Sequence, residues 1–121
     1  MKKILIIDDE EHMRRLLRKI LEREGYEVAE APDGKIGIRL HHKNPADLVI
    51  TDLIMPEKEG IETIMELKRD FPDTKIFAMS GGGRYDPKTY LDIAKKLGAN
   101  MVIQKPFDRE ELVEAVREVL E

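Results

Sequence analysis

The stretch LVITDLIMPEKEG, residues 48–60, decides how the rest of the chain is interpreted. It opens with an unbroken run from Leu48 to Thr51, which is typical of a strand buried on both faces of a sheet. The run ends on a carboxylate, Asp52. A buried acid is costly unless other groups compensate its charge. We therefore expect Asp52 to belong to a polar site at the end of a buried strand.

Apolar runs of the same kind recur along the chain and alternate with amphipathic segments. The strand-like runs cover residues 4–7, 26–29, 48–51, 76–79 and 101–103. The segments after them carry apolar residues at helical spacing, as Met13, Leu17 and Leu21 do in the first segment. Strands that alternate with helices indicate a parallel sheet covered on both faces. The sequence predicts a doubly wound α/β fold of five strands and five helices.

Several residues mark the ends of the predicted helices. Gly25 and Gly98 are placed to end the first and fourth helices, because glycine adopts the left-handed conformation that follows many helices. The predicted start signals are an Asp cap at Asp33 for a helix over residues 34–42, the pair Asp86-Pro87, and a capping box formed by Asp108 and Glu111.

Composition excludes several classes of protein. The chain has 121 residues and no cysteine, which fits one domain in a reducing cytosol. Its net charge of −4 comes from mixed charges, so a direct nucleic-acid partner is not expected. No window approaches the roughly 20 apolar residues of a membrane span. The expectation is a single cytoplasmic domain over residues 1–121, without an output domain and without a membrane partner.

Chemically reactive side chains follow four of the five predicted strands. Asp8 and Asp9 follow the first strand, Asp52 the third, Ser80 the fourth and Lys105 the fifth. Sites in such folds lie outside the carboxyl ends of the strands, so these side chains are expected to converge. Clustered carboxylates repel one another, and a hard divalent cation such as Mg²⁺ removes that conflict. Acids, a metal, a lysine and a hydroxyl suit phosphoryl transfer, with Asp52 as the nucleophile.

The order of these motifs resembles the receiver domain of two-component response regulators, including the chemotaxis regulators, across essentially the whole chain. The matching pattern around the acceptor is D-x-x-M-P-x-x-x-G. The matching residues are the acidic pair Asp8-Asp9, then Asp52 with Met55, Pro56 and Gly60, then Ser80, the triplet GAN at residues 98–100 and the triplet KPF at residues 105–107.

The resemblance implies a flavodoxin-like fold with strand order 2-1-3-4-5 and Asp52 as the phosphoacceptor. It implies Mg²⁺ held by Asp9, Asp52 and the backbone carbonyl of Ile54, with Asp8 acting mainly through water. It also implies a cis Lys105-Pro106 bond and a conformational switch that involves Ser80. The phosphoryl donor would be a sensor histidine kinase or a histidine phosphotransfer protein, and the signal would pass to a downstream protein. The domain would catalyse only its own phosphorylation and hydrolysis.

Two other classes of protein fit parts of the pattern. A nucleotide- or flavin-binding module would place glycines after the first strand, where this chain has Asp8 and Asp9. A Mg²⁺-dependent aspartyl-phosphate phosphatase would usually carry a second acid two residues after its nucleophile, where this chain has Ile54. The chain departs from the receiver pattern at Val102, where an aromatic residue is common.

The three histidines are interpreted as structural or solvated, and two methionines as core residues. His12, His41 and His42 lack the spacing and acidic neighbours of a metal site. His41 and His42 lie near a predicted helix C-terminus, where an imidazolium would suit the helix dipole. Met13 and Met65 are expected to fill the core.

Overall fold

Five strand–helix units follow one another in the computed structural model, which describes residues 1–53, 60–80 and 87–121. The elements are β1 (Lys3–Ile7), α1 (Glu11–Arg23), β2 (Glu27–Ala31), α2 (Gly34–Lys43), β3 (Leu48–Asp52), α3 (Gly60–Asp70), β4 (Lys75–Ser80), α4 (Pro87–Lys96), β5 (Met101–Gln104) and α5 (Arg109–Leu120). The alternation predicted from the sequence is confirmed.

The strands form one parallel sheet in the order β2-β1-β3-β4-β5, so the predicted flavodoxin-like topology is confirmed. Ile7 pairs with Thr51, which places Asp8, just beyond β1, beside Asp52, the last residue of β3. Asp52 pairs with Met79, the residue before Ser80. The register therefore brings the carboxyl ends of β1, β3 and β4 to one edge of the sheet.

The two faces of the sheet bury separate apolar clusters because side chains alternate along each strand. Leu5 and Ile7 point toward α2, α3 and α4, where Ile64 and Leu67 complete the packing. Ile4 and Ile6 point the other way, toward α1 and α5. Apolar packing occupies both faces of the sheet, so a polar site can form only at the ends of the strands.

Each strand differs from its predicted range by one or two residues at one or both ends. Strand β2 covers Glu27–Ala31 rather than residues 26–29, because its pairing with β1 continues until Ala31 meets Ile7. Strands β3 and β4 each extend one residue further and include Asp52 and Ser80. Backbone pairing with neighbouring strands sets these ends, and that pairing is not visible in hydropathy alone. Asp52 and Ser80 are therefore held by the sheet itself.

The predicted helix ends are confirmed wherever the structure describes them. The Asp33 carboxylate accepts a hydrogen bond of 2.8 Å from the Ile36 amide. Asp108 and Glu111 form the reciprocal capping box. Gly25 and Gly98 have φ angles of 94° and 111°. The predicted cap at Asp86 lies outside the described residues.

Two expectations about side chains near these helices are wrong. Met65 is 55% exposed, because α3 packs through Ile64 and Leu67 and turns the adjacent Met65 toward solvent. Met13, in contrast, packs against the α1/α5 cluster as expected. His41 does not sit as an imidazolium at the end of α2. It is fully buried, and burial lowers the pKa of its imidazole, with the positive charges of His42 and Lys3 acting in the same direction.

The neutral His41 ring joins three segments of the chain. Its Nδ1 accepts a hydrogen bond of 3.1 Å from the Ala46 amide, which assigns the ring proton to Nε2. Nε2 lies 3.0 Å from Thr74 Oγ1 and so donates to that hydroxyl. The ring also makes an edge contact with Phe71. His41 therefore ties α2 to the segment between α3 and β4.

Gly60 allows α3 to begin directly beside the end of β3. Its amide donates a hydrogen bond of 3.0 Å to the Leu53 carbonyl. A Cβ at residue 60 would overlap the carbonyl of Asp52 and the Cα of Leu53, both of which are backbone atoms. The absence of a side chain at residue 60 therefore permits the close approach of α3 to the end of β3.

Burial of neutral His41 predicts that stability falls as the pH drops below the ordinary histidine pKa of 6.5. In that range the unfolded chain binds a proton that the folded protein does not, at a cost of up to about 1.4 kcal/mol per pH unit. Urea unfolding at about pH 7.5 and about pH 5.5 measures this. His41→Asn should flatten the pH dependence of unfolding relative to the wild type. Equal pH dependence in the two proteins would contradict the assignment.

Gly60→Ala should destabilise the protein by about 1–3 kcal/mol, the usual cost of overpacking. The backbone of Asp52 and Leu53 must move to admit the methyl group. Gly37→Ala is the matched control, because a Cβ there meets the side chains of Ile7 and Ala31 rather than backbone. The control variant also gains helix propensity, so its free energy of unfolding should decrease by less than that of Gly60→Ala. A smaller loss for Gly60→Ala than for Gly37→Ala would refute this account.

Candidate functional site

The carboxyl edge of the sheet collects the reactive side chains predicted from the sequence. Asp8, directly after β1, is fully buried, and Asp52, at the end of β3, is 8% exposed. Ser80, at the end of β4, is also fully buried. Asp9 and Lys105 follow β1 and β5. The parallel register and the strand order account for this convergence.

Lys105 stands between two of the carboxylates. Its Nζ lies 3.4 Å from Asp8 Oδ2 and 3.5 Å from Asp52 Oδ2. Its backbone amide donates a 2.8 Å hydrogen bond to the Ser80 carbonyl, which fixes the start of the side chain against β4. The expected cis bond between Lys105 and Pro106 is confirmed. Burial works to lower the pKa of the Lys105 ammonium, but the charges of Asp52 and Asp8 outweigh it and raise that pKa, so the lysine is charged.

Asp8, Asp9 and Asp52 form one cluster of carboxylates. One oxygen from each lies within 4.8 Å of the others. Burial raises the pKa of the Asp8 carboxyl, although the Glu10 amide and Lys105 both act to lower it. Among the residues that the structure describes, Lys105 contacts two of these three acids, so three carboxylates share one ammonium. Three hard oxygen donors with surplus negative charge fit a divalent cation such as Mg²⁺.

The Ser80 hydroxyl is placed at the same edge. Its Oγ is buried and has no hydrogen-bond partner among the residues that the structure describes. A buried hydroxyl without a partner is costly, and an acceptor oxygen that enters the site would remove the cost. Ser80 is thus poised to donate to an oxygen-rich group that arrives beside Asp52.

Asp8 also makes a contact that the sequence did not predict. Its backbone carbonyl accepts a hydrogen bond of 2.9 Å from the guanidinium of Arg14 on α1. In the sequence, Arg14 is one of several basic residues on an amphipathic helix, and nothing distinguishes it from Arg15 or Arg18. Only the position of α1 against the end of β1 shows that it reaches the site.

Some predicted features lie outside the described residues. These are the metal-binding carbonyl of Ile54, the turn at Met55-Pro56 and the loop over residues 81–83. Val102 is described, and its half-buried side chain packs against the cluster beneath α2, α3 and α4. The site as described therefore consists of Asp8, Asp9, Asp52, Ser80 and Lys105.

The geometry bears on the nucleotide- or flavin-binding alternative. The turn after β1 presents two carboxylates, Asp8 and Asp9, where a nucleotide-binding module presents amides to phosphate. Within the described parts of the chain, every helix is too short or too polar to cross a membrane.

The chain is similar in sequence to two regulatory proteins. The chain is 37% identical to the chemotaxis protein CheY of Thermotoga maritima, over 98% of this chain and 97% of the relative. It is 35% identical to the transcriptional regulatory protein CpxR of Escherichia coli, over 99% of this chain but only 50% of that protein. The chain therefore spans nearly all of one relative and half of the other.

Solved structures agree with the sequence relatives. A response regulator receiver domain protein from Clostridium thermocellum superposes with a TM-score of 0.90 at 30% identity, covering 99% of this chain and 94% of that one. The chemotaxis protein CheY4 of Vibrio cholerae gives a TM-score of 0.88 at 29% identity, with 99% of each chain covered. The family model described as the response regulator receiver domain matches residues 4–117. With its fold, its acidic strand ends and these matches, the chain belongs to the response regulator receiver domain family.

Proposed function

We propose that this receiver domain accepts a phosphoryl group on Asp52 in a reaction that requires Mg²⁺. The donor is a sensor histidine kinase or a histidine phosphotransfer protein, and the phosphorylated domain signals to a downstream protein. The observation that carries this proposal is the cluster of Asp8, Asp9 and Asp52, with the Lys105 ammonium in contact with Asp8 and Asp52. The buried Ser80 hydroxyl lies at the same edge of the sheet.

Asp52 is the proposed nucleophile because it ends β3 at the centre of the cluster. A carboxylate oxygen of Asp52 attacks the phosphorus of a phosphohistidine, forming an O–P bond as the N–P bond of the donor breaks. The imidazole that leaves takes up a proton, and Asp52 becomes an acyl phosphate. The backbone pairing of Asp52 with Met79 holds the nucleophile in position before the donor arrives.

Asp9 and Asp52 would hold the Mg²⁺ ion together with the Ile54 carbonyl, and Asp8 would act mainly through water. When bound, the ion supplies positive charge that screens the carboxylates from the incoming phosphoryl oxygens. Asp8 is the acid whose carboxyl is fixed by the Glu10 amide, at 2.9 Å from Oδ1. That contact leaves Oδ2 facing Lys105.

Lys105 and Ser80 are proposed to respond to the new phosphoryl group. The ammonium of Lys105 is charged and already lies 3.5 Å from Asp52 Oδ2, so it can pair with a phosphoryl oxygen there. The Ser80 hydroxyl donates to another oxygen and gains the partner that it lacks among the described residues. Movement of Ser80 would carry with it the segment that follows β4 and so shift the population of conformations available to a partner.

The proposal also covers the organisation and the location of the domain. We propose that residues 1–121 act as one receiver domain in the cytoplasm, without direct contact to nucleic acid or membrane. The match to the chemotaxis protein CheY of Thermotoga maritima over 97% of that protein supports this organisation. The domain catalyses its own phosphorylation and hydrolysis only.

Incubation with acetyl phosphate and Mg²⁺ should add one phosphoryl group to the wild-type protein. Asp52→Asn should abolish the addition, because it removes the nucleophilic oxygen while keeping the size of the side chain. Asp73→Asn, an acid between α3 and β4, is the control and should be labelled as the wild type is. Intact-protein mass spectrometry with and without EDTA measures both effects. Equal labelling of Asp52→Asn and wild type would refute the proposal.

Lys105→Met should tighten Mg²⁺ binding while impairing the response to phosphorylation. The lysine competes with the ion for Asp8 and Asp52, and the net contribution of each such ion pair is on the order of 1 kcal/mol. Isothermal titration should show at least about fivefold tighter Mg²⁺ binding for the variant. Weaker binding in Lys105→Met would show that the lysine supports the metal site rather than competing with it.

A further inference from the structure

The guanidinium of Arg14 links the acidic turn after β1 to the neighbouring strand β2. One of its nitrogens donates to the Asp8 carbonyl at 2.9 Å. Its Nε donates to Glu30 Oε1 at 3.3 Å, and Glu30 lies near the end of β2. The two side chains are only 14% and 18% exposed, so water competes weakly for this contact. Arg14 thus spans from helix α1 to both the acidic turn and the sheet.

The Arg14 contact completes the anchoring of Asp8. The Asp8 amide donates to the Ala31 carbonyl at 3.1 Å, and its carboxylate accepts from the Glu10 amide and from Lys105. The Asp8 carbonyl is the remaining polar group, and Arg14 is its donor. Because this carbonyl belongs to the peptide plane between Asp8 and Asp9, Arg14 fixes the orientation of that plane.

The orientation of this peptide plane matters most for Asp9. The Asp9 side chain is exposed, and no residue in the described ranges donates a hydrogen bond to its carboxylate. Its place in the carboxylate cluster is therefore set by the backbone that carries it. A turn that is free to rotate would let Asp9 swing away from Asp52. A fixed turn keeps the two oxygen ligands together before an ion binds.

Charge and positioning predict opposite effects for Arg14. A positive charge next to the site repels Mg²⁺, so removing the charge alone would tighten metal binding. Loss of the hydrogen bond to the Asp8 carbonyl would loosen the acidic turn and weaken metal binding. Arg18 separates these effects, because it pairs with the same Glu30, at 2.9 Å, while its other ion pair is to Glu22 on its own helix and not to Asp8.

We propose that Arg14 is a positioning residue that preorganises the acidic turn for Mg²⁺ through its hydrogen bond to the Asp8 carbonyl; the proposal rests on the proposed function. Groups that orient metal ligands commonly change metal affinity by about 10–100-fold when they are removed. Arg14 acts on the backbone that carries a ligand and not on a ligand side chain. We therefore expect an effect near the lower end of that range.

The test is Mg²⁺ affinity, measured by isothermal titration and by the amide shifts of Asp8 and Asp9 in NMR spectra. Arg14→Met should weaken Mg²⁺ binding by about tenfold. Arg14→Lys keeps the charge, but its single ammonium cannot contact both the Asp8 carbonyl and Glu30 in the way that the guanidinium does. This variant should therefore also bind Mg²⁺ more weakly than the wild type. Urea unfolding in EDTA reports whether each variant is folded, and Arg14→Lys decides the question if Arg14→Met does not fold.

Arg18→Met is the matched control and should bind Mg²⁺ at least as tightly as wild type. Wild-type affinity in Arg14→Lys, tighter binding in Arg14→Met, or equal weakening in Arg18→Met would each overturn the positioning role. These results differ from a failure of the proposed function. In that case the wild-type protein itself would show no Mg²⁺ binding at this site and no phosphorylation of Asp52.

Discussion

Mutual repulsion among Asp8, Asp9 and Asp52 is the constraint on which the rest of this site depends. The sheet brings one oxygen of each within 4.8 Å of the others, and Lys105 contacts two of the three acids. Burial and, to a smaller extent, the charge of Asp9 raise the pKa of the Asp8 carboxyl, although the Glu10 amide and Lys105 act to lower it. A binding site for a cation is the physical consequence, and the proposed phosphoryl chemistry is built on it.

The fold tolerates this repulsion because apolar packing stabilises the described core on both sides of the sheet. Both faces of the sheet are covered by apolar clusters, and the acids stand only at the ends of β1 and β3. Backbone pairing fixes Asp52 and Ser80, and the Arg14 hydrogen bond fixes the Asp8 carbonyl. Rigid elements thus hold the repelling carboxylates together before a ligand binds. The free-energy cost of bringing them together is therefore met by folding and not during the reaction.

The sequence predicted the fold well because hydropathy alternates with element type from Ile4 to Leu120. It predicted the convergence of Asp8, Asp52 and Lys105 because parallel strands end at one edge. It could not predict where β2 ends, since pairing with β1 decides that, and it missed that α3 turns Met65 outward. Nor could it show that His41 is neutral and buried, or that Arg14 reaches the site, because both depend on how helices pack. The roles of the site residues stay predictions.

A crystal structure of the protein with Mg²⁺ and beryllofluoride tests the central claim most directly. The account predicts beryllofluoride bonded to a carboxylate oxygen of Asp52 and a metal ion in contact with Asp9 and Asp52. It also predicts that the Lys105 ammonium and the Ser80 hydroxyl contact fluorine atoms. A complex that leaves Asp52 unmodified, or a metal ion bound away from the three carboxylates, would contradict the account.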